Sequence, residues 1–152
     1  MTTGFRGHYL RKGRFSQIGY FYILTAVVEN RRPAFKDWRA GRLVVEQFRS
    51  AEEDGLVRSM AWVVMPDHFH WLVELRHKTL PGLMCRVKSR SSQSIKRSGH
   101  WHGPLWQRGY YDRTLRHDDD LQKAARYIVA NPLRAGLVQR VGDYPLWDAV
   151  WI

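Results

Sequence analysis

The stretch Met65-Pro66-Asp67-His68-Phe69-His70-Trp71-Leu72-Val73-Glu74-Leu75 decides how this chain folds. It is an apolar run of the kind found in strands, and successive side chains of a strand point to opposite faces. His68 and His70 are therefore predicted to stand side by side on one face, while Phe69 and Trp71 turn into a core on the other. Two imidazoles at this spacing can supply two ligands of a metal ion, so further ligands must come from elsewhere in the chain.

The composition predicts a folded domain that binds a polyanion. The chain has 152 residues, of which 44% are hydrophobic, and its formal net charge is +11. The hydrophobic content excludes a disordered chain, and the charge favours DNA, RNA or an anionic membrane surface as partner. Residues 1–50 carry a net charge of +7 and residues 76–116 a net charge of +9. Two basic blocks thus flank the histidine strand, which favours nucleic acid.

Several features predict a cytoplasmic, nucleoid-associated protein without a membrane partner. The single Cys85 cannot form an internal disulfide, which agrees with a reducing compartment. The start of the chain is polar and basic, so no signal peptide is expected. No apolar run approaches the ~20 residues that span a bilayer.

The chain divides into a basic arm and one domain. Residues 1–17 contain four basic residues and are predicted to be a flexible arm that lies along a phosphate backbone, whereas residues 18–152 form a single domain. The predicted DNA contacts of the arm are Arg6, Arg11, Lys12 and Arg14.

The remaining patterns predict an α+β fold. The spacing of apolar residues indicates helices over 38–54 and 79–98 and a third helix that begins near Asp118 and ends at Asn131-Pro132. Strands are predicted at 20–28, 57–65 and 68–75, together with a strand or hairpin at 105–115 that has a kink or bulge at Gly109, and a tail at 133–152 that packs back on the body. Strands and helices segregate rather than alternate, which favours a ferredoxin-like antiparallel sheet with helices mainly on one face.

The third helix carries a second pair of candidate functional residues. Tyr127 and Asn131 are four residues apart and are predicted to share one helical face. A hydroxyl nucleophile and an amide oxygen would then look onto the sheet, where Asn131 could complete a metal site with the histidines. Tyr110 and Tyr111 are rival nucleophiles, less favoured because a tyrosine on a strand lacks an Asn partner one helical turn away.

Four segments of the chain together resemble the HUH single-tyrosine transposases, which are IS200-like, and within them the REP-associated tyrosine transposases. The segments are Arg14-Phe-Ser-Gln-Ile-Gly-Tyr-Phe-Tyr-Ile-Leu-Thr, Val63-Val-Met-Pro-Asp-His-Phe-His-Trp-Leu-Val, Leu105-Trp-Gln-Arg-Gly-Tyr-Tyr-Asp-Arg-Thr-Leu-Arg and Ala125-Arg-Tyr-Ile-Val-Ala-Asn-Pro-Leu-Arg-Ala-Gly-Leu-Val. The His-x-His pair alone is unspecific, but Tyr-Ile-x-x-Asn-Pro about 60 residues later is specific in combination with it. Insertion-sequence relatives usually have Gln where this chain has Asn131, which points to the REP-associated branch.

The resemblance implies an HUH endonuclease fold and a complete set of site residues. It makes Tyr127 the nucleophile, and His68, His70 and Asn131 the ligands of Mg²⁺ or Mn²⁺. It further implies binding of imperfect palindromic hairpins of single-stranded DNA next to a short guide sequence. Cleavage and rejoining would pass through a 5′-phosphotyrosine, in a monomer or a homodimer.

Two alternatives to this enzyme remain, and a further set of residues is predicted to contact DNA. The chain could be a hairpin-binding module that has lost the chemistry, or a metal-dependent nuclease that uses water. The third segment and the helix before it supply the predicted DNA contacts of the domain, namely Arg86, Lys88, Arg90, Lys96, Arg97, Trp106, Arg108 and Tyr110.

Overall fold

The computed structural model describes residues 16–116 and 120–151 and has the predicted α+β architecture. Within these ranges a five-stranded antiparallel sheet has the strand order β4-β1-β3-β2-β5. The strands are β1 Phe21–Val27, β2 Val57–Met65, β3 His68–Leu75, β4 Tyr111–Leu115 and β5 Trp147–Ala149.

Three of the helices begin at a side chain that caps them. Asp37 accepts a hydrogen bond from the backbone of α1 Trp38–Glu53, Thr79 from that of α2 Leu80–Arg97, and Asp120 from that of α3 Leu121–Val129. Each cap satisfies an N–H group that has no partner inside its helix. The fourth helix, α4 Asn131–Arg134, is a single turn with Pro132 near its start.

The histidine strand β3 is the middle of the sheet and separates two apolar layers. Its neighbours are β1 and β2, and the Pro66-Asp67 turn joins it to β2 as expected. On one face Trp71 stacks on Phe48 of α1 at 4.4 Å between ring centroids, and Phe69 meets the same ring at 4.9 Å. The two long helices α1 and α2 cover this face with the larger core.

The opposite face, which carries the histidines, is covered by α3. Buried Ala125, Ile128 and Val129 pack there against a second apolar cluster that includes Leu72 of β3. Helix α3, the third helix predicted from the sequence, therefore lies on the same side of the sheet as the imidazoles, while most of the helical residues lie on the other side.

The predicted strand or hairpin at 105–115 is correct only for its second half. Residues 105–110 form no strand beyond one isolated bridge between Trp106 and Val28. Gly109 adopts φ +79°, a conformation that turns the chain and that residues other than glycine rarely adopt. The carbonyl groups of Gln107 and Gly109 are instead bound by the Lys88 ammonium, at 2.8 and 2.6 Å.

The C-terminal part differs from the expected tail. It contains the short edge strand β5, which pairs with β2, and Trp147 packs against the second core with its indole N–H donated to the carbonyl of Val141. Trp151, also expected to pack on the body, keeps 38% of its surface exposed. In the described ranges, none of the helices has the length and apolar character needed to cross a bilayer.

Candidate active site

The two histidine rings are neighbours, and the partner of the first ring fixes which of its nitrogens is free. Their ring centroids are 4.8 Å apart. His68 donates from Nδ1 to Oδ1 of Asp67 at 2.7 Å, and Arg31 pairs with the other carboxylate oxygen at 3.2 Å. Although partial burial raises the pKa of Asp67, the hydrogen bond from His68 and the charge of Arg31 hold it below its ordinary value. An ionised carboxylate only accepts, so Nε2 of His68 is the nitrogen left for a ligand.

The second histidine is held by the neighbouring strand. Thr25 lies directly across from His70 in the β1–β3 register, and its hydroxyl oxygen is 2.7 Å from Nδ1 of the ring. Burial, with smaller contributions from the charges of His68 and Arg134, lowers the pKa of His70 to about 4. His70 is therefore neutral at physiological pH, and in the tautomer whose Nδ1–H donates to Thr25 its Nε2 is available to coordinate a metal.

One pocket brings the predicted nucleophile to the histidine face. It has a volume of about 210 Å³ and lies between the sheet and the C-terminal end of α3. Its lining includes His70 and Thr25 from the central strands, Tyr111 and Arg113 from β4, and Tyr127 and Asn131 from the helices. Thr25 also pairs with Tyr111, so Tyr111, Thr25 and His70 form one row across three strands.

Tyr127 and Asn131 reach this pocket by a different route from the one predicted. They do not share a continuous helix, because α3 ends at Val129 and Ala130 has ψ −1° between α3 and α4. Tyr127 is 64% exposed on the last turn of α3. Asn131 opens α4, and its Nδ2 donates to the carbonyl of Ile128 at 3.3 Å, which leaves Oδ1 as the acceptor end of the amide.

Four predicted DNA contacts have partners inside the domain. Arg86 pairs with Asp54 and keeps only 16% of its side chain exposed. Lys88 binds the carbonyls of the 107–109 segment, and burial lowers its pKa to about 8. Trp106 donates to Ser91 within the larger core, and Tyr110 is only 7% exposed. Contact between DNA and these four residues stays a prediction, but each of the four has a structural role.

The other predicted DNA contacts are exposed or lie outside the described residues. Those in the arm, at positions 6, 11, 12 and 14, lie outside them, as does most of the predicted arm. The exposed ones are Arg90, Lys96 and Arg97 of α2 and Arg108 after it. Helix α2 covers the sheet face opposite the histidines, so the structure does not bring its basic residues into the pocket.

Several residues of the site were not identified from the sequence. Arg113 lines the pocket, Arg134 lies over the ring of Tyr127, and Thr25 and Asp67 hold the two imidazoles. Asp67 and Arg134 lie inside the segments that carried the resemblance, where they could have been singled out. Thr25 ends the first of these segments, but its role depends on the register between β1 and β3, which the segment itself does not show.

The comparisons with known proteins place this chain in a family. A family model described as transposase, IS200 like, matches residues 16–131, which include both histidines, Tyr127 and Asn131. The chain belongs to the IS200-like transposase family. This confirms the resemblance read from the four segments.

Named relatives place this IS200-like transposase near one branch of the family. A REP-associated tyrosine transposase of Escherichia coli K12 is 32% identical over 87 residues, which cover 56% of this chain and 50% of that protein. A Haemophilus influenzae protein whose name provisionally places it in the same group is 27% identical over 149 residues, covering 84% of this chain and 78% of that protein.

A solved structure confirms the fold. The structure of a REP-associated tyrosine transposase bound to a REP hairpin matches with a TM-score of 0.74 at 20% sequence identity, covering 88% of this chain and 79% of that chain. The antiparallel α+β fold of HUH transposases, expected from the sequence, is the fold of this transposase.

The low pKa of His70 predicts a specific dependence of stability on pH. In the unfolded chain His70 binds a proton near its ordinary pKa of 6.5, whereas in the fold it does so only near 4. The unfolded state therefore takes up more protons between these values, and the free energy of unfolding should fall by up to about 3 kcal/mol as pH drops from 6.5 to 4. Urea unfolding in EDTA at stepped pH measures this.

The variant His70→Asn keeps an amide near the position of Nδ1 and is the control. Over the same pH window, the free energy of unfolding of this variant should fall by up to about 3 kcal/mol less than that of the wild type. Parallel curves for the two proteins would show that His70 is not responsible.

Proposed function

We propose that this transposase binds imperfect palindromic, REP-type hairpins of single-stranded DNA and cleaves and rejoins the strand through a 5′-phosphotyrosine on Tyr127. The observation that carries the proposal is the pocket that Tyr127 shares with Asn131 and His70. The relatives support the DNA substrate, since one of them was solved with a REP hairpin. The net charge of +11 supports a polyanionic partner of this kind and a place on the nucleoid, with either one or two copies of the chain at work.

The donor set fits a divalent cation. Oδ1 of Asn131 is an oxygen donor of the kind that Mg²⁺ and Mn²⁺ take, and Nε2 of both imidazoles would add nitrogen donors, which suit a transition metal such as Mn²⁺ better than Mg²⁺. In the described ranges there is no group of three or more His, Cys, Asp or Glu side chains that could hold a metal ion, so the amide is needed as the third protein ligand. When bound, the cation would offset negative charge on the scissile phosphate and favour the phenolate.

The chain's own residues account for the remaining steps. Tyr127 loses its phenolic proton, and its oxygen bonds to phosphorus while the bond to the 3′ oxygen breaks and that oxygen takes up a proton. One phosphodiester is exchanged for another, so no nucleotide energy source is required. A 3′-hydroxyl can later attack the phosphotyrosine and restore the strand. Arg113, exposed on β4, is placed to contact the DNA backbone beside the pocket.

The path of the hairpin follows from the position of the charges. The exposed basic residues of α2 and the pocket lie on opposite faces of the sheet, and β4 is the edge strand next to β1. A hairpin that touches both faces has to pass an edge of the sheet. We propose that it passes β4, because Arg113 of this strand lies at the pocket.

The assignment of the nucleophile is tested by two conservative variants in the same pocket. Tyr127→Phe should abolish the covalent adduct with a labelled hairpin oligonucleotide in Mn²⁺ and keep hairpin affinity within about twofold, because only the attacking oxygen is lost. Tyr111→Phe removes the rival hydroxyl and should leave adduct formation unchanged. Denaturing gels measure the adduct, and fluorescence anisotropy measures binding.

Each result distinguishes one of the alternatives. An adduct in Tyr127→Phe that disappears in Tyr111→Phe would move the nucleophile to the strand. Cleavage without any adduct in the wild type would indicate a nuclease that uses water. Binding without cleavage under any divalent metal would indicate a hairpin-binding module.

The hydrogen-bond partners of the two imidazoles should determine how strongly the cation binds. Thr25→Val and Asp67→Ala each remove the group that holds Nδ1 of one histidine, at His70 and at His68. Loss of such a partner typically costs about 10- to 100-fold in metal affinity, so we expect the affinity for Mn²⁺ to fall by that factor. Calorimetric titration with Mn²⁺ measures it without any turnover.

Thr114→Val is the matched control, since Thr114 is an exposed residue of β4 that lies across from Tyr22 and not from a histidine. It should bind Mn²⁺ like the wild type. Equal affinities in all four proteins would contradict the assignment of the cation to this histidine pair.

A further inference from the structure

The predicted nucleophile lies in an exposed position, so something must hold its ring. Tyr127 is 64% exposed on the last turn of the nine-residue helix α3. An exposed side chain changes rotamer freely, whereas in-line attack on phosphorus requires one position. Misplacement of a reacting group by about 1 Å can cost up to about 100-fold in rate. A contact that restricts the ring therefore matters for the rate even where it adds little to stability.

Arg134 contacts Tyr127 at two places. Its guanidinium carbon lies 3.7 Å from the centroid of the Tyr127 ring. Its Nη2 donates to the backbone carbonyl of Tyr127 at 2.8 Å. The planar guanidinium group can stack on an aromatic face while its N–H groups bond in the same plane, which an ammonium group cannot do. One side chain thus ties the ring of Tyr127 to the backbone of the same residue.

The position of Arg134 is itself fixed. Arg134 ends α4, and its backbone N–H donates to the carbonyl of Ala130 at 3.0 Å. Pro132 in the same turn is buried, which anchors this turn to the body of the domain. Asn131 opens the turn, so the amide proposed as a metal ligand and the guanidinium over the ring are carried by the same short helical turn.

We propose that Arg134 is a positioning residue, which holds the phenol of Tyr127 towards the pocket for attack on the scissile phosphate. The inference rests on the proposed function for its consequence in the reaction, but the contact itself is independent of it. A role limited to capping α3 would need only the bond to the carbonyl. The stack on the ring is the part that a positioning role requires.

Kinetics of three variants separate positioning from DNA binding. Arg134→Gln should lower the rate of adduct formation at saturating hairpin by about 10- to 100-fold and keep the hairpin dissociation constant within about twofold. Arg134→Lys, which keeps the charge but not the flat stack, should recover part of the rate. Arg140→Gln removes a charge from an Arg that is 82% exposed and paired with Asp143, and should change neither quantity.

A spectroscopic measurement tests the contact without turnover. In protein labelled with 3-fluorotyrosine, the ¹⁹F resonance of Tyr127 is the one missing from Tyr127→Phe. It should shift in Arg134→Gln and stay unchanged in Arg140→Gln, because the guanidinium lies over the ring only in the wild type and the control. The remaining tyrosine resonances report whether each variant is folded.

The possible outcomes each decide the proposal. A shifted resonance together with a slower rate at unchanged affinity supports it. An unmoved resonance, or a rate equal to that of Arg140→Gln, overturns it. Weaker hairpin binding with an unchanged rate at saturation also overturns it, since Arg134 would then be a DNA contact. If the wild type forms no adduct, the proposed reaction fails and the resonance alone decides whether the ring is held.

Discussion

The packing of Trp71 and Phe69 on Phe48 is the constraint on which the rest of the structure depends. These rings lie 4.4 and 4.9 Å from the Phe48 ring, in the core between β3 and α1. Because the side chains of a strand alternate, their burial forces His68 and His70 onto the opposite face. A slip of one residue would place the two imidazoles in the larger apolar core and the two aromatic rings on the face of the candidate site. The apolar core thus fixes the direction of the candidate ligands before any cation or DNA is present.

The histidine face is unusual in its balance of charge. The carboxylate next to the histidines, Asp67, is already paired with Arg31 and His68. His70 and Asn131 are neutral, Arg113 lines the pocket together with Asp112, and Arg134 lies over the Tyr127 ring. A site of this kind attracts phosphate more strongly than a cation. We therefore expect the scissile phosphate to strengthen binding of the cation, because it supplies additional negative charge at the site.

The sequence predicted the parts of the fold that depend on local pattern. The alternation in β3, the periodicity of α1 and α2 and the face of the histidines all follow from residues close together in the chain. The strand β5 was missed because Trp147–Ala149 is too short to show a pattern and exists only through its pairing with β2. The segment 105–110 was predicted as part of a strand or hairpin with a kink or bulge at Gly109, but the turn at Gly109 and the ammonium of Lys88 hold it as a loop.

The candidate site, like the fold, was predicted only in part. Tyr127, Asn131 and the histidines were identified by motif, whereas Thr25 and Arg134 depend on strand register and on the break at Ala130. The most direct test of a single site is paramagnetic broadening by Mn²⁺ in ¹⁵N-labelled protein. Signals of His68, His70, Thr25 and Asn131 should broaden first, while those of α2 stay sharp. Broadening centred on the acidic end of α1, with Asn131 unaffected, would contradict the account.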